Sequence, residues 1–228
     1  MKILAIADEE DKGLWDFFSP DRVKDVDLII SCGDLNHNYL EFLESMANVP
    51  LLYVSGNHDG GYGQRPPEGC ECIDDRIYNF HGLRILGLGG SMRYKPGPCM
   101  YTEQEMKSRI GHMMPEIMLK NGFDVLVTHA PARGYGDMED LPHIGFECFN
   151  TLMNRWHPKY MLHGHVHQTY GGGDFKREIQ HPCGTKIINC FDKYYVNIGD
   201  EDHPKAGKTG SFLYDLFIRS RMRAGAFR

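Results

Sequence analysis

No stretch of this chain approaches the roughly 20 consecutive apolar residues that a membrane-spanning helix needs, so no membrane span is expected. No CxxC pair occurs among its seven cysteines. An odd cysteine count without such pairs argues for free thiols in a reducing cytosol and against a disulfide framework. Cys70-Glu71-Cys72 is an isolated CxC with no second pair, and it reads as loop cysteines. Met1-Lys2-Ile3-Leu4 leads straight into a strand pattern with no signal-peptide cleavage site after it, so the expected location is cytoplasmic. Internal repeats and convincing linkers are also missing. Residues 1–228 are therefore expected to form one domain able to bury a substantial core.

Basic residues are scarce in the first sixty positions, where twelve acids face only Lys2, Lys12, Arg22 and Lys24. An acidic region of this kind suits cation binding. The balance reverses from about residue 205, where Lys205, Lys208, Arg219, Arg221, Arg223 and Arg228 face Asp215 alone. This basic tail offers a meeting point for an anionic partner such as nucleic acid; the plainer reading is a solvated surface arm. With 41% hydrophobic and 25% charged residues, the composition is that of an ordered globular protein and excludes disorder.

What the sequence does contain is five short motifs ending in metal-capable side chains. They are Asp8-Glu9-Glu10, Gly33-Asp34, Gly56-Asn57-His58-Asp59, Thr128-His129 and His163-Gly164-His165-Val166-His167. Carboxylate, amide and imidazole donors together suit first-row divalent metals. Taken singly, most have plain readings. Asp8 and Asp34 suit turns at strand ends, and His129 suits a satisfied core histidine. The last run is more specific, because residues i and i+2 of extended backbone project to one side, so His165 and His167 can serve one site. Gly164 is expected to break the path before them, leaving His163 in a supporting role. Together, the set describes a two-metal hydrolytic centre.

The intervening segments alternate between strand and helix patterns, as in layered α/β proteins. Strands are expected over Lys2–Ala7, Asp27–Cys32, Leu51–Val54, Asp124–Thr128 and Lys159–Leu162, with paired strands Ile77–Phe80 and Arg84–Leu88 around His81-Gly82. Thr185–Asn189 and Tyr194–Ile198 read as a closing hairpin. Helices are expected over Tyr39–Ala47, Phe146–Trp156 and Thr102–Lys120. The last opens with a capping-box pattern and carries Pro115, which predicts a kink or break. Gly60–Gly69 reads as an irregular loop beside His58 that could wall a pocket.

The motif set resembles the calcineurin-like metallophosphoesterase superfamily, whose pattern is DxH, GD, GNH(D/E), a later His and GHxH. Gly87-Leu88-Gly89-Gly90-Ser91, Tyr101-Thr102-Glu103 and Thr128-His129-Ala130-Pro131 are further similar to a branch of small bacterial phosphoesterases. The resemblance implies a four-layer αββα sandwich, two mixed β-sheets flanked by helices. It also implies hydrolysis of a phosphate ester, phosphodiester in preference to monoester, by a hydroxide shared between two divalent ions. By position, Asp8, Asp34 and His167 would hold the first ion, with Asp34 bridging to a second held by Asn57, His129 and His165. His58 would act as the proton donor and Asp59 would orient its ring.

The first motif departs from the pattern, since Glu10 stands where the superfamily has histidine. As a ligand, Glu10 would favour Mn or Fe, with Mg, Zn or Ni as alternatives; His37 is another candidate for that place. Arg93 and Arg133 are candidate phosphate clamps, with surface ion pairs as the plain reading, and His143 lies in the same long loop as Arg133. Two rival readings remain: a non-catalytic scaffold of the same fold, and a nuclease recruited by the basic tail.

Overall fold

The computed structural model describes residues 1–168 and 175–223; Arg228 of the basic tail lies outside them. In chain order the elements are β1 (Lys2–Ala7), β2 (Leu28–Ser31), α1 (His37–Ala47), β3 (Leu51–Tyr53), β4 (Glu71–Cys72), β5 (Arg76–Phe80) and β6 (Leu83–Leu88). They continue with β7 (Ser91–Met92), β8 (Met100–Tyr101), α2 (Glu103–Leu119), β9 (Val125–Thr128), α3 (Glu147–Trp156) and β10 (Tyr160–His163). The chain closes with β11 (Glu178–Gln180), β12 (Lys186–Asn189), β13 (Asp192–Asn197) and α4 (Phe212–Arg223).

Two large mixed sheets carry the fold. The first has the order β13-β1-β2-β3-β4, and the second β11-β12-β10-β9-β6-β5. Strands β1 to β4 run parallel, as do β6, β9, β10 and β12; the antiparallel strands lie at the edges. Alternation along β1 explains the layering. Ile3, Ala5 and Ala7 face a core shared with Ile85, Val127 and Leu162 of the second sheet. Leu4 and Ile6 face the opposite way, onto Tyr39, Leu40 and Leu43 of α1. The outer face of the second sheet, with Leu86, Leu126 and Met161, is covered by Met106, Ile110 and Met113 of α2 and by Phe149 and Leu152 of α3. Helix, sheet, sheet and helix therefore stack in four layers. Strands buried on both faces are written as unbroken apolar runs, as Ile3–Ala7 and Leu28–Ile30 are.

Local chemistry fixes the boundaries. Thr102 caps α2, its Oγ1 accepting from Glu105 N–H while the Glu105 carboxylate accepts from Thr102 N–H. Between β5 and β6, His81 (φ 51°) and Gly82 (φ 104°) are both left-handed, the geometry of a two-residue hairpin turn. Arg84 is buried at the start of β6, where it donates to both carboxylate oxygens of Asp124 and to the carbonyls of Lys120 and Asn121.

Several expectations need correction. Thr185–Asn189 and Tyr194–Ile198 do not pair: β12 joins the second sheet beside β10, and β13 crosses to the first beside β1. α2 runs unbroken through Pro115. Pro115 is exposed, and the carbonyl of Gly111 that its missing N–H leaves unpaired lies on the same exposed side. Cys72 lies on β4, not in a loop, and Asp59–Gly63 forms a 3-10 turn inside the supposedly irregular loop. The basic tail contains α4, anchored by buried Tyr214 and Ile218, and is not a simple arm. No helix among the described residues is long and apolar enough to cross a membrane.

Candidate metal centre

Parallel strands deliver their carboxyl ends to one side of each sheet. Asp8 follows β1, Asp34 follows β2, Asn57 and His58 follow β3, His129 follows β9, and His165 and His167 follow β10. Asp8, Asp34, Asn57, His58, His165 and His167 line one cavity of about 340 Å³. His129 is fully buried beside Asp34 and Asn57.

The backbone bends sharply to make this possible. Asp8 (φ 66°), Asp34 (φ 57°) and His165 (φ 70°) all adopt the left-handed conformation that side chains normally avoid. Such strain persists where the surroundings over-determine it, and it concentrates at functional sites. Gly56 cannot be replaced without disturbance, because a Cβ there would press on the Asp34 carboxylate.

Hydrogen bonding assigns the lone pairs. His129 Nδ1 lies 2.8 Å from the carbonyl of Cys32, which can only accept, so Nδ1 carries the proton. The other ring nitrogen, Nε2, faces Asn57 Oδ1 (3.0 Å) and Asp34 Oδ2 (3.3 Å), both acceptors, so in the metal-free protein it carries a second proton that a metal ion would have to displace. Asp34, His129 and His165 offer ligand atoms all within 4.8 Å of one another. His165 Nε2 donates to the carbonyl of Pro142 at 2.7 Å, which leaves Nδ1 as its lone pair. The donor chemistry thus fits a divalent ion at Asp34, Asn57, His129 and His165. A second group is looser: His167 Nε2 stands 3.5 Å from Asp8 Oδ1, with the Phe191 ring 4.9 Å from the His167 ring.

Electrostatics place a proton on His129 in the metal-free protein. Burial pulls the His129 imidazole down, but Asp34 and then Asp8 outweigh it and hold the group at about 10. Burial raises the Asp34 carboxyl, yet His129 and His58 overcome it and keep the group well below the usual range. His165 is lowered to about 3 by burial and by the neighbouring charge of His129, so it stays neutral. Asp59 is pushed up to about 6, mainly by burial.

Not every expected residue comes to the cavity. Glu10 is exposed and does not line it. Nor does Arg93, whose guanidinium bonds Glu105 and the carbonyl of Met100, or Arg133, which pairs with Asp137 at 3.8 Å. Asp59 does not orient the His58 ring. It folds under the turn, where its Oδ2 accepts from the N–H groups of Gly56 and Asp34 at 2.8 Å each, while the His58 side chain is 68% exposed. His37 begins α1 and does not line the cavity. His163 is buried against the carbonyl of Gly164, and burial lowers it to about 4.

Three lining residues escaped assignment: Tyr94, Pro142 and His143. Asn57 Nδ2 approaches Tyr94 Oη at 3.4 Å, and His143 packs its ring 5.2 Å from that of His165 while Nδ1 bonds Asp140. Tyr94 comes from a loop and His143 from a short 3-10 turn, Leu141–His143, where the sequence signal was proximity to Arg93 and Arg133.

A sandwich whose strand ends bring carboxylate, amide and imidazole donors to one cavity defines an α/β protein built around a candidate metal cluster. The chain belongs to the calcineurin-like phosphoesterase family, whose model matches residues 1–169. It is similar to UPF0046 protein C25E10.12 of Caenorhabditis elegans, 28% identical over 201 residues that cover 74% of this chain and 69% of that protein. A second Caenorhabditis elegans relative, UPF0046 protein T07D4.2, is 43% identical over 120 residues, 52% of this chain but only 27% of that protein. An uncharacterized protein of Haemophilus influenzae is 26% identical over 175 residues, covering 62% of this chain and 73% of that protein. Among solved structures, TT1561 of Thermus thermophilus superposes with a TM-score of 0.57 at 15% identity, covering 84% of this chain and 89% of that one. Another crystal structure reaches a TM-score of 0.61 at 14% identity, covering 86% and 94%. At these identities the structural likeness speaks for the fold alone.

Proposed function

We propose that this protein hydrolyses phosphate esters, phosphodiesters in preference to monoesters, with two divalent ions. Asp8, Asp34 and His167 hold one, and Asp34, Asn57, His129 and His165 hold the other. The observation that carries this reading is the convergence of Asp34, Asn57, His129 and His165 at successive strand ends, with ligand atoms of Asp34, His129 and His165 all within 4.8 Å of one another. Bound there, divalent ions polarise phosphoryl oxygens and make water nucleophilic near neutral pH. His58 Nε2 stands 4.0 Å from Asp34 Oδ2 on an exposed ring lining the cavity, a position suited to handing a proton to the leaving oxygen.

The preference for diesters is supported by charge. The lining contains Asp8 and Asp34 and, among the described residues, no lysine or arginine. A monoester dianion brings a second negative charge with no lysine or arginine to meet it beyond the ions and His58; a diester brings one charge. Oxygen and nitrogen donors without a thiolate suit Mn or Fe, with Mg, Zn or Ni as alternatives. The seven free cysteines support residence in a reducing cytosol.

A non-catalytic scaffold is the second reading, favoured by the exposure of Glu10. Metal-stripped protein, given Mn²⁺, Fe²⁺, Mg²⁺, Zn²⁺ or Ni²⁺ singly, should hydrolyse an aryl phosphodiester faster than the matching monoester. Asp34→Asn should lower metal content at both positions. Absence of turnover with every metal establishes the scaffold instead.

A further inference from the structure

Helix α4 turns an apolar face to solvent. Phe212, Leu213, Leu216 and Phe217 are 80%, 65%, 58% and 54% exposed, whereas Tyr214 and Ile218 on the opposite face are buried. At 3.6 residues per turn the four exposed side chains span an arc of about 140°. Arg219, Arg221 and Arg223 are exposed and border or enter that arc; the Arg221 guanidinium lies 5.8 Å from the centre of the Phe217 ring. The one acid of the helix, Asp215, is buried, its carboxylate accepting from Thr209 and Gly210.

From this arrangement we infer that α4 docks on an anionic lipid surface. Large apolar side chains on a convex face, bordered by arginines, are what an in-plane membrane helix presents. At 1.5 Å per residue its twelve residues measure about 18 Å, too short to span a bilayer core of about 30 Å. Charge separates this partner from a second copy of the chain. An isologous contact would set the three arginines of α4 against the same three, with Asp215 already engaged. A bilayer containing anionic lipid complements them, each arginine contributing about 1 kcal/mol near the surface, or about fivefold in partitioning.

The position of the helix adds a functional consequence. Tyr214 Oη accepts from Asn79 and the Thr209 carbonyl accepts from Asn121, so α4 is fastened near the starts of β6 and β9. The candidate metal centre lies at the other ends of these strands. Docking through α4 therefore leaves the cavity open to a water-soluble substrate.

The test is vesicle flotation of the full chain with phosphatidylcholine alone and with phosphatidylglycerol added. Wild-type protein should float with the anionic vesicles and lose that binding as salt rises. Arg221→Gln/Arg223→Gln should lower partitioning about 25-fold, and Leu213→Ser/Phe217→Ser should abolish it. Both variants alter exposed side chains, so circular dichroism melts should match wild type. Turnover of a soluble aryl phosphodiester should be unchanged in both, which keeps this result separate from that of the proposed function. Failure of wild type to bind anionic vesicles, equal binding by the serine variant, or a stable dimer in sedimentation velocity that the serine variant splits would each overturn the inference.

Discussion

The backbone N–H of His165 donates to both carboxylate oxygens of Asp8, at 3.0 and 2.9 Å. Asp8 ends the first strand of one sheet, and His165 follows a central strand of the other. The contact fastens the two sheets together at the cavity, and it holds two left-handed residues against each other. A candidate ligand at each end is thereby fixed before any ion is bound.

His129 should release a proton when metal enters. Its imidazole is held at about 10, against burial, by Asp34 and Asp8. A raised histidine contributes stability that is complete below its unfolded value of about 6.5 and is lost as pH rises through the folded value. Metal-stripped protein should therefore melt at progressively lower temperature between about pH 6.5 and pH 10. Over the same window metal should bind up to about tenfold more tightly per pH unit. Calorimetry in two buffers of different ionisation heat counts the proton, and a count of zero near pH 8 would remove His129 from the ligand set.

His58→Ala should keep the metal content and lower turnover by about 10²–10⁴-fold, the usual range for loss of a general acid. The backbone N–H of residue 58, which donates to Asp34 at 2.7 Å, survives the substitution. Elemental analysis beside kcat decides the matter: metal lost along with activity would make His58 a ligand. A leaving group that needs no proton should narrow the defect.

Asp59 supports the turn from beneath. Asp59→Ala strands the N–H groups of Gly56 and Asp34, both now bonded to its carboxylate. Unsatisfied buried donors cost about 1–3 kcal/mol each, so urea unfolding should show a loss of about 2–6 kcal/mol. Asp59→Asn keeps an acceptor oxygen and should lose less. Equal stability of all three proteins would show that those donors find other partners.

The parts of this fold readable from residue order were those where one environment dictates one pattern. Ile3–Ala7 and Leu28–Ile30 are buried on both faces, so they could be written only as apolar runs, and their carboxyl ends marked where Asp8 and Asp34 would stand. Sheet membership was not readable. β12 and β13 look like hairpin partners because alternation records which face is buried but not which sheet does the burying. α4 was missed for a related reason: its larger side chains point outward, so the core-facing signal was reduced to Tyr214 and Ile218. Tyr94 reaches the cavity from a loop and His143 from a single 3-10 turn, neither long enough for periodicity to report it. Asp59 was assigned to its neighbour in sequence, whereas its partners are backbone groups of Gly56 and Asp34.

Glu10→Ala should leave metal content and metal preference close to wild type, because the residue is exposed and outside the cavity. Surface substitutions of this kind usually change stability by no more than about 0.5 kcal/mol. Metal titrations of wild type, Glu10→Ala and Glu10→His are the check. A shift toward Zn²⁺ or Ni²⁺ in Glu10→His alone would show that position 10 can swing into the site.

The crossing of β13 to the first sheet sets an order on biosynthesis. β13 pairs along the whole of β1, Lys2 opposite Asn197 and Ala7 opposite Asp192. A growing chain offers β1 first and leaves its outer edge open until residues 192–197 emerge, about 10–40 s later at ordinary ribosome speed. Phe191, beside His167, arrives with the same strand. His167 therefore gains the ring it packs against only after residue 191 has been made, later than every other candidate ligand.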